Sequence, residues 1–153
     1  MAQALTVTVD GNPFLDGSEA AKVVLDWVSA AGGTVSLGIA STFAAAVAAK
    51  GGLGGPLPSK IRGKILAIET APGLNGDLTT ALPTANYDIT ILDSYSLDVL
   101  DGVGANRSGT AAETVVASNP IPVDSELTLT IANAGDTKKG RIILHVGSYG
   151  LGR

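Results

Sequence analysis

The residues of this sequence with the most obvious chemical potential are one histidine and a group of four aspartates. His145 is the only histidine, and the chain has no cysteine. It therefore has few of the nitrogen and sulfur ligands that zinc sites favour. A Ser-His-Asp hydrolase is also disfavoured, because no G-x-S-x-G segment occurs. We predict no catalytic residue and no metal site, and expect His145 to be a strand residue that contacts solvent or an interface.

The four aspartates are close in sequence, at Asp88, Asp93, Asp98 and Asp101. Their spacing does not fit a calcium loop, which has ligands at short, regular intervals and ends in glutamate. Spacing alone leaves open a carboxylate pair for glycoside hydrolysis. The chain has few aromatic residues for sugar binding, however: one Trp, three Tyr and two Phe. We expect these acids to be turn residues, because aspartate stabilises turns.

The segment Gly102–Arg107 (GVGANR) has two glycines with the spacing of a dinucleotide-binding loop. Arg107 stands in the position of the third glycine, and no strand–helix–strand pattern surrounds it, so we predict no cofactor. The glycines instead indicate a loop with unusual backbone angles. Arg107 could hold this loop through forked hydrogen bonds to carbonyls or to an acid, or it could anchor a second subunit.

Alternation of apolar and polar residues is the commonest pattern, and it predicts strands with one buried face. It occurs in residues 5–9, 35–39, 87–91, 127–131 and 142–146. Lys22–Val28 and Ile61–Thr70 are also rich in β-forming residues, but have apolar side chains at both parities. We expect both of these strands to be covered on two faces. The segment Leu127–Val146 is predicted to form a hairpin. The whole pattern indicates an all-β fold, either a β-sandwich or a small β-barrel.

One segment departs from this pattern. Ser41–Lys50 has possible N-caps and an alanine-rich body, which predict a short helix, and a glycine- and proline-rich linker follows it. We expect a single β domain over residues 1–153, with an arm excursion at about 39–60 and a short C-terminal tail at 147–153. The arm either packs on a neighbouring subunit or forms a surface loop.

The composition suggests that this protein acts by association. Charged residues make up 16% of the chain, against about 25% in typical domains, and the mean hydropathy is positive. The 10 Lys and Arg residues form no basic stripe, which argues against nucleic acid. We find no apolar run long enough for a membrane helix and no signal-peptide pattern. Low charge with abundant apolar residues indicates a surface that is hidden in a subunit interface.

Two neighbouring blocks add a resemblance. The first is Pro83–Thr90 (PTANYDIT) and the second is Asp98–Arg107 (DVLDGVGANR). Together they resemble a pattern in small virion proteins of tailed phages, P-T-x-N-Y-D-[IV]-T followed by D-V-L-x-G-x-G-A-N-R. Residues 22–27, 127–135 and 139–144 fit the same pattern. The resemblance covers roughly residues 22–146, although residues 39–58 have no counterpart in it.

The resemblance implies a structural role in the virion, with capsid decoration as the leading possibility. We expect a homo-oligomer, with a trimer favoured, on the capsid surface, bound to the major capsid protein or another virion protein. A tail, connector or baseplate subunit is the first alternative. A carbohydrate-binding module or small glycosidase is a second, from a different class. The residues expected at interfaces are Leu5, Val7, Val9, Phe43, Val47, Leu53, Arg107 and Tyr149.

Overall fold

The computed structural model describes residues 2–10, 21–39 and 61–147. Strands account for 50% of these residues, with almost no helix, which confirms the predicted all-β fold. One short 3-10 helix covers Leu74–Gly76. The strands within the described ranges are β1 (Ala4–Asp10), β2 (Ala21–Val28), β3 (Val35–Gly38), β4 (Ile61–Pro72), β5 (Asp88–Leu92), β6 (Glu113–Val116), β7 (Pro122–Ser125), β8 (Thr128–Ala132) and β9 (Lys139–Gly147).

The strands form two antiparallel sheets. The large sheet has the order β1-β2-β9-β4-β6, and β7 also pairs with β4. The small sheet has the order β3-β8-β5. The sheets do not close into a barrel, so the sandwich-like alternative is the one that the structure supports.

The core lies between the inner faces of the two sheets. In every strand predicted from alternation, the described side chains of the apolar parity pack in or against the core, because burying one side of each strand removes that side from water. Trp27 of the large sheet contacts Tyr87, which precedes β5, with their ring centroids 5.7 Å apart. The largest fully buried side chains are Trp27, Tyr87, Leu25, Ile39, Ile68, Ile89, Ile91, Leu100, Leu129 and Ile131.

A β-bulge explains the mixed parity of β4. The register of β4 against β9 shifts between Ile65 and Ala67. Ile65 and Ile68 are therefore both buried, although they are three residues apart, while Leu66 is exposed. An extra residue in one strand changes which parity faces the core. The apolar residues at both parities of β4 therefore do not require that both faces of this strand be buried.

The predicted hairpin at 127–146 is wrong. β8 pairs with β3 and β5 in the small sheet, whereas β9 pairs with β2 and β4 in the large sheet. The connection between them crosses from one sheet to the other, and Ser29 holds it. The Ser29 hydroxyl donates to the Gly135 carbonyl oxygen and accepts from the Lys138 N–H, both across 2.8 Å.

Several predictions concern residues outside the described ranges. These are the helix at Ser41–Lys50, the linker that follows it, and the C-terminal tail beyond Gly147. They stay predictions, as does the assignment of the whole chain to one domain.

Candidate docking surface

The two blocks that carry the resemblance fold against each other. Asn86 N–H donates to the Arg107 carbonyl oxygen at 3.0 Å, and Arg107 N–H donates to the Tyr87 carbonyl oxygen at 2.8 Å. The Asp88 carboxylate accepts from Asn106 N–H at 2.9 Å. Asn86 and Asn106 both have positive φ, of 63° and 57°, which asparagine tolerates better than most residues. The two blocks therefore form one local structural unit.

The arginine of this unit acts within its own chain. The Arg107 Nε and Nη2 atoms donate to the Ala105 carbonyl oxygen at 3.0 and 2.7 Å. Its Nη1 lies 3.8 Å from the Glu113 carboxylate, and 14% of its side chain is exposed. Glu113 in turn accepts from Ser108 N–H. The predicted loop clamp is thus confirmed, while a contact of Arg107 with a second subunit stays a prediction.

The clustered aspartates bind backbone amides. Asp93 accepts from the N–H groups of Tyr95 and Leu97. Asp98 accepts from the N–H groups of Ile91, Leu100 and Gly102. These contacts confirm the turn role for Asp93 and Asp98, whereas Asp88 is the first residue of β5. Among the described residues, no group of three or more His, Cys, Asp or Glu residues could hold a metal ion.

His145 lies on the outward face of β9, as its parity predicts. Its Nε2 is 2.5 Å from the Glu69 carboxylate of β4, and both side chains are partly exposed. The pair spans two strands of the large sheet. The contact is a cross-strand hydrogen bond on the outward face of the sheet.

The outward face of the small sheet has little charge. Its direct cross-strand neighbours are Ser36–Thr130–Thr90 and Gly38–Thr128–Leu92. The only ionisable side chain at an outward strand position is Asp88, and its second carboxylate oxygen accepts from the Asn133 amide at 3.0 Å. We call these positions the small-sheet outer face. They are Ser36, Gly38, Asp88, Thr90, Leu92, Thr128, Thr130 and Ala132.

The large sheet is different, because ionisable side chains are spread over its outward face. Arg141 binds Asp26 with two parallel hydrogen bonds of 2.7 and 2.9 Å, and His145 pairs with Glu69. The ionisable side chains at outward positions of β2, β4 and β9 include Lys22, Asp26, Lys64, Glu69, Lys139, Arg141 and His145. Charged residues are depleted at the centres of protein interfaces. The small-sheet outer face is therefore better suited to docking than the large sheet.

An apolar turn follows β5, and Ser94 of this turn hydrogen-bonds to Ser125 of β7 in the large sheet. The turn follows Leu92, and Asp93 fixes it as described above. It leaves Tyr95 84% exposed and Leu97 64% exposed. Tyrosine is among the residues that contribute most binding energy at interface centres, and the exposed Leu97 adds apolar surface two residues further along the chain. We call Tyr95 and Leu97 the apolar tip.

The strand residues predicted at interfaces have mixed placements. Val7 of β1 is only 8% exposed, and Leu5 packs against the core. Their side chains leave little surface for a partner, so contacts through β1 would use its backbone edge and outward threonines. The side chain of Val9 is outside the described part of the structure. Three predicted residues of the arm and one of the tail lie outside the described residues altogether: Phe43, Val47, Leu53 and Tyr149.

The apolar tip and the small-sheet outer face were missed in the sequence. A signal for the tip was present, since Tyr95 is an aromatic residue inside a predicted turn. A signal for the face was present too, since the polar parity of the predicted strands 35–39 and 127–131 has only Ser36, Gly38, Thr128 and Thr130, without a charged residue.

No protein-family model, curated protein or solved structure matches this chain. Among the described residues, no helix is long and apolar enough to cross a membrane.

Proposed function

We propose that this chain is a structural virion protein that self-associates and decorates a phage capsid. The observation that carries the docking role is the small-sheet outer face together with the apolar tip. That surface has hydroxyl, methyl and aromatic groups, and its one carboxylate is already hydrogen-bonded within the chain. Docking there desolvates one carboxylate, and the hydrogen bonds that this carboxylate accepts within the chain lower the cost.

The choice of a phage capsid as the assembly rests on the resemblance of Pro83–Thr90 and Asp98–Arg107. The two blocks lie on either side of the turn that contains the apolar tip. Their mutual hydrogen bonds therefore help to position this turn. A decorating protein gains affinity from many copies that each bind weakly, because multivalent contacts add without any single tight site. A modest docking surface on each copy is sufficient for this role.

The test is co-sedimentation of the purified protein with phage capsids that lack it. We expect the native chain to sediment with capsids at a high copy number. The variant Tyr95→Ser with Leu97→Ser should bind at least about tenfold more weakly, because it removes the aromatic and aliphatic anchors. Thr130→Lys on the small-sheet outer face should also weaken binding, because it introduces an unpaired charge at the interface.

The matched control is Thr114→Lys, on the outward face of the large sheet. Thr114 is exposed, so this change adds the same charge at a different surface. It should bind capsids like the native chain. Equal binding by all of these variants would refute docking through the small-sheet outer face, and no sedimentation of the native chain would refute the capsid role. A copy number of only a few per particle would instead favour a connector or tail subunit.

The exposure of Tyr95 favours a second candidate function, carbohydrate binding. Sugar-binding modules stack a sugar ring on an exposed aromatic side chain, and Tyr95 is the most exposed large hydrophobic residue of the described chain. A glycan array decides between the two functions. Specific hits that Tyr95→Ser abolishes would support carbohydrate binding, and an array without hits would remove it.

A further inference from the structure

The first strand of the large sheet has an edge without a partner among the described residues. β1 pairs with β2 through seven consecutive residue pairs, from Ala4–Val28 to Asp10–Lys22, without a register shift. No described strand pairs with its other side. An edge of this length presents a row of backbone N–H and C=O groups that can bind another extended strand.

The opposite edge of the same sheet is protected in several ways. It is divided between β6 and β7, which have four residues each. β7 begins at Pro122, and β4 beside it has the bulge between Ile65 and Ala67. Short strands, proline and bulges are the features by which proteins prevent edge-to-edge pairing. β1 has none of them, and it also has no lysine.

The neighbouring edge of the small sheet is protected by a side chain. The Gln3 amide oxygen accepts from Ser36 N–H at 2.8 Å, and its amide nitrogen donates to the Ser36 carbonyl oxygen at 3.4 Å. The glutamine therefore occupies both backbone groups of Ser36 on β3. Of these three described edges, β1 alone combines length and regularity with the absence of lysine, proline and a bulge.

We infer that β1 pairs with β1 of a second copy of this chain, antiparallel and about a two-fold axis at Val7. This register places Val7 opposite its own copy, Thr6 opposite Thr8, and Ala4 opposite Asp10. Thr–Thr pairs are favourable across antiparallel strands. Asp10 is the only charged residue of β1, and this pairing places the two copies of Asp10 at opposite ends, whereas parallel pairing would bring them together.

The pairing places the apolar faces of the two β1 strands on the same side of the joined sheet. Position Leu5 of one copy is opposite position Val9 of the other, and both have the apolar parity of β1. A two-fold contact uses the same surface on both subunits, so a self-complementary strand is what it requires. The product is a continuous sheet across two subunits, and the oligomer contains an even number of chains. The inference deepens the self-association of the proposed function and rests on that part of it alone.

The test changes the outward threonines of β1, which are both exposed. In Thr6→Lys with Thr8→Lys, each introduced lysine faces a second lysine of the partner. We expect the dimer dissociation constant to rise at least about tenfold, because like charges directly opposite each other destabilise a strand pair. In Thr6→Lys with Thr8→Glu, each lysine faces a glutamate, and dimerisation should return to within about threefold of the native value.

The control is Thr114→Lys with Val116→Lys, which adds two lysines at outward positions of the opposite edge. It should dimerise like the native chain. The measurement is sedimentation velocity over a range of concentrations, with circular dichroism to show that each variant is folded. A native chain that stays monomeric, a mass that corresponds only to trimers, or equal dimerisation of the two β1 variants would overturn the pairing.

Capsid binding is measured on the same variants, which separates the two proposals. A chain that dimerises through β1 and does not bind capsids refutes the virion role and supports the pairing. A chain that binds capsids as a monomer refutes the pairing and supports the capsid-binding part of the proposed function.

Discussion

The Ile89 N–H donates to the Gly104 carbonyl oxygen across 2.9 Å, and the Ile89 carbonyl oxygen occupies the place where a Cβ on residue 104 would lie. This contact joins the segment Pro83–Thr90 to the segment Asp98–Arg107. A side chain at position 104 would push the loop away from β5, because backbone atoms cannot yield as the end of a flexible side chain can. Glycine at position 104 is thus required by packing rather than by an unusual φ.

The first prediction concerns this glycine. Gly104→Ala should lower the free energy of unfolding by about 3 kcal/mol, since it forces a backbone shift in the core. Gly38→Ala is the control, because a Cβ there meets nothing within 4 Å. It should change stability by less than about 1 kcal/mol. Urea denaturation measures both, and a small effect of Gly104→Ala would show that the loop can move.

The second prediction concerns the buried hydroxyl of Tyr87. Burial raises the pKa of Tyr87 to about 12 from its ordinary 10.0, and the Thr70 hydroxyl lowers this pKa in part. The protonated phenol is therefore favoured in the folded state. The stability that follows from this is complete below pH 10 and is lost as the pH rises from about 10 through about 12. The loss is on the order of 2–3 kcal/mol.

Tyr87→Phe removes this titration, so its stability should fall less steeply between pH 10 and 12 than that of the native chain. Tyr95→Phe is the control, because Tyr95 is 84% exposed, and it should keep the native pH dependence. Thermal unfolding followed by circular dichroism at each pH gives the comparison. Parallel pH profiles for the native chain and Tyr87→Phe would contradict the prediction.

The strands and their buried faces were predictable from the alternation of apolar and polar residues, but alternation indicates only one property of a strand. It shows which side of a strand faces the core, and Leu129, Ile131, Ile142 and Leu144 are all buried as it predicts. It does not report which strand lies beside which. β8 and β9 have the same pattern whether they are hairpin neighbours or members of facing sheets, because both arrangements bury the same parity.

The docking surface could be predicted only in part, for a related reason. The loop clamp by Arg107 followed from the donors of a guanidinium and the adjacent carbonyls. The exposure of Tyr95 did not, because it depends on how Asp93 closes the turn through two backbone amides. Such local contacts decide whether an aromatic side chain points inward or outward. The alternating pattern cannot predict this orientation, because the pattern ends before the turn begins.

The third prediction concerns the connection between the two sheets. The Ser29 hydroxyl is bound to Gly135 and Lys138, and the residue is fully buried. Ser29→Ala leaves the Lys138 N–H without this acceptor, and should cost about 1–3 kcal/mol of unfolding free energy. Ser36→Ala, at an exposed position of β3, should cost less than about 0.5 kcal/mol. Equal effects of the two substitutions would show that Ser29 does not hold the connection.

The fourth prediction concerns the ion pair of Arg141 and Asp26 on the large sheet. Hydrogen bonds to Asp26 raise the pKa of Arg141, and the pair joins β9 to β2. Arg141→Lys keeps the charge but loses the two parallel hydrogen bonds. We expect it to cost about 0.5–1 kcal/mol, a modest figure because water partly screens both side chains.

A double-mutant cycle isolates this pair from other effects of the substitutions. With Asp26→Asn and Arg141→Lys, the coupling energy from urea denaturation should be about 0.5–1 kcal/mol and should fall only slightly in 1 M salt. The two bonds are short, and salt screens partly buried charges less than fully exposed ones. A coupling energy near zero at low salt would show that the two hydrogen bonds contribute nothing to stability. Strand pairing and core packing would then hold β2 against β9 without a contribution from this pair.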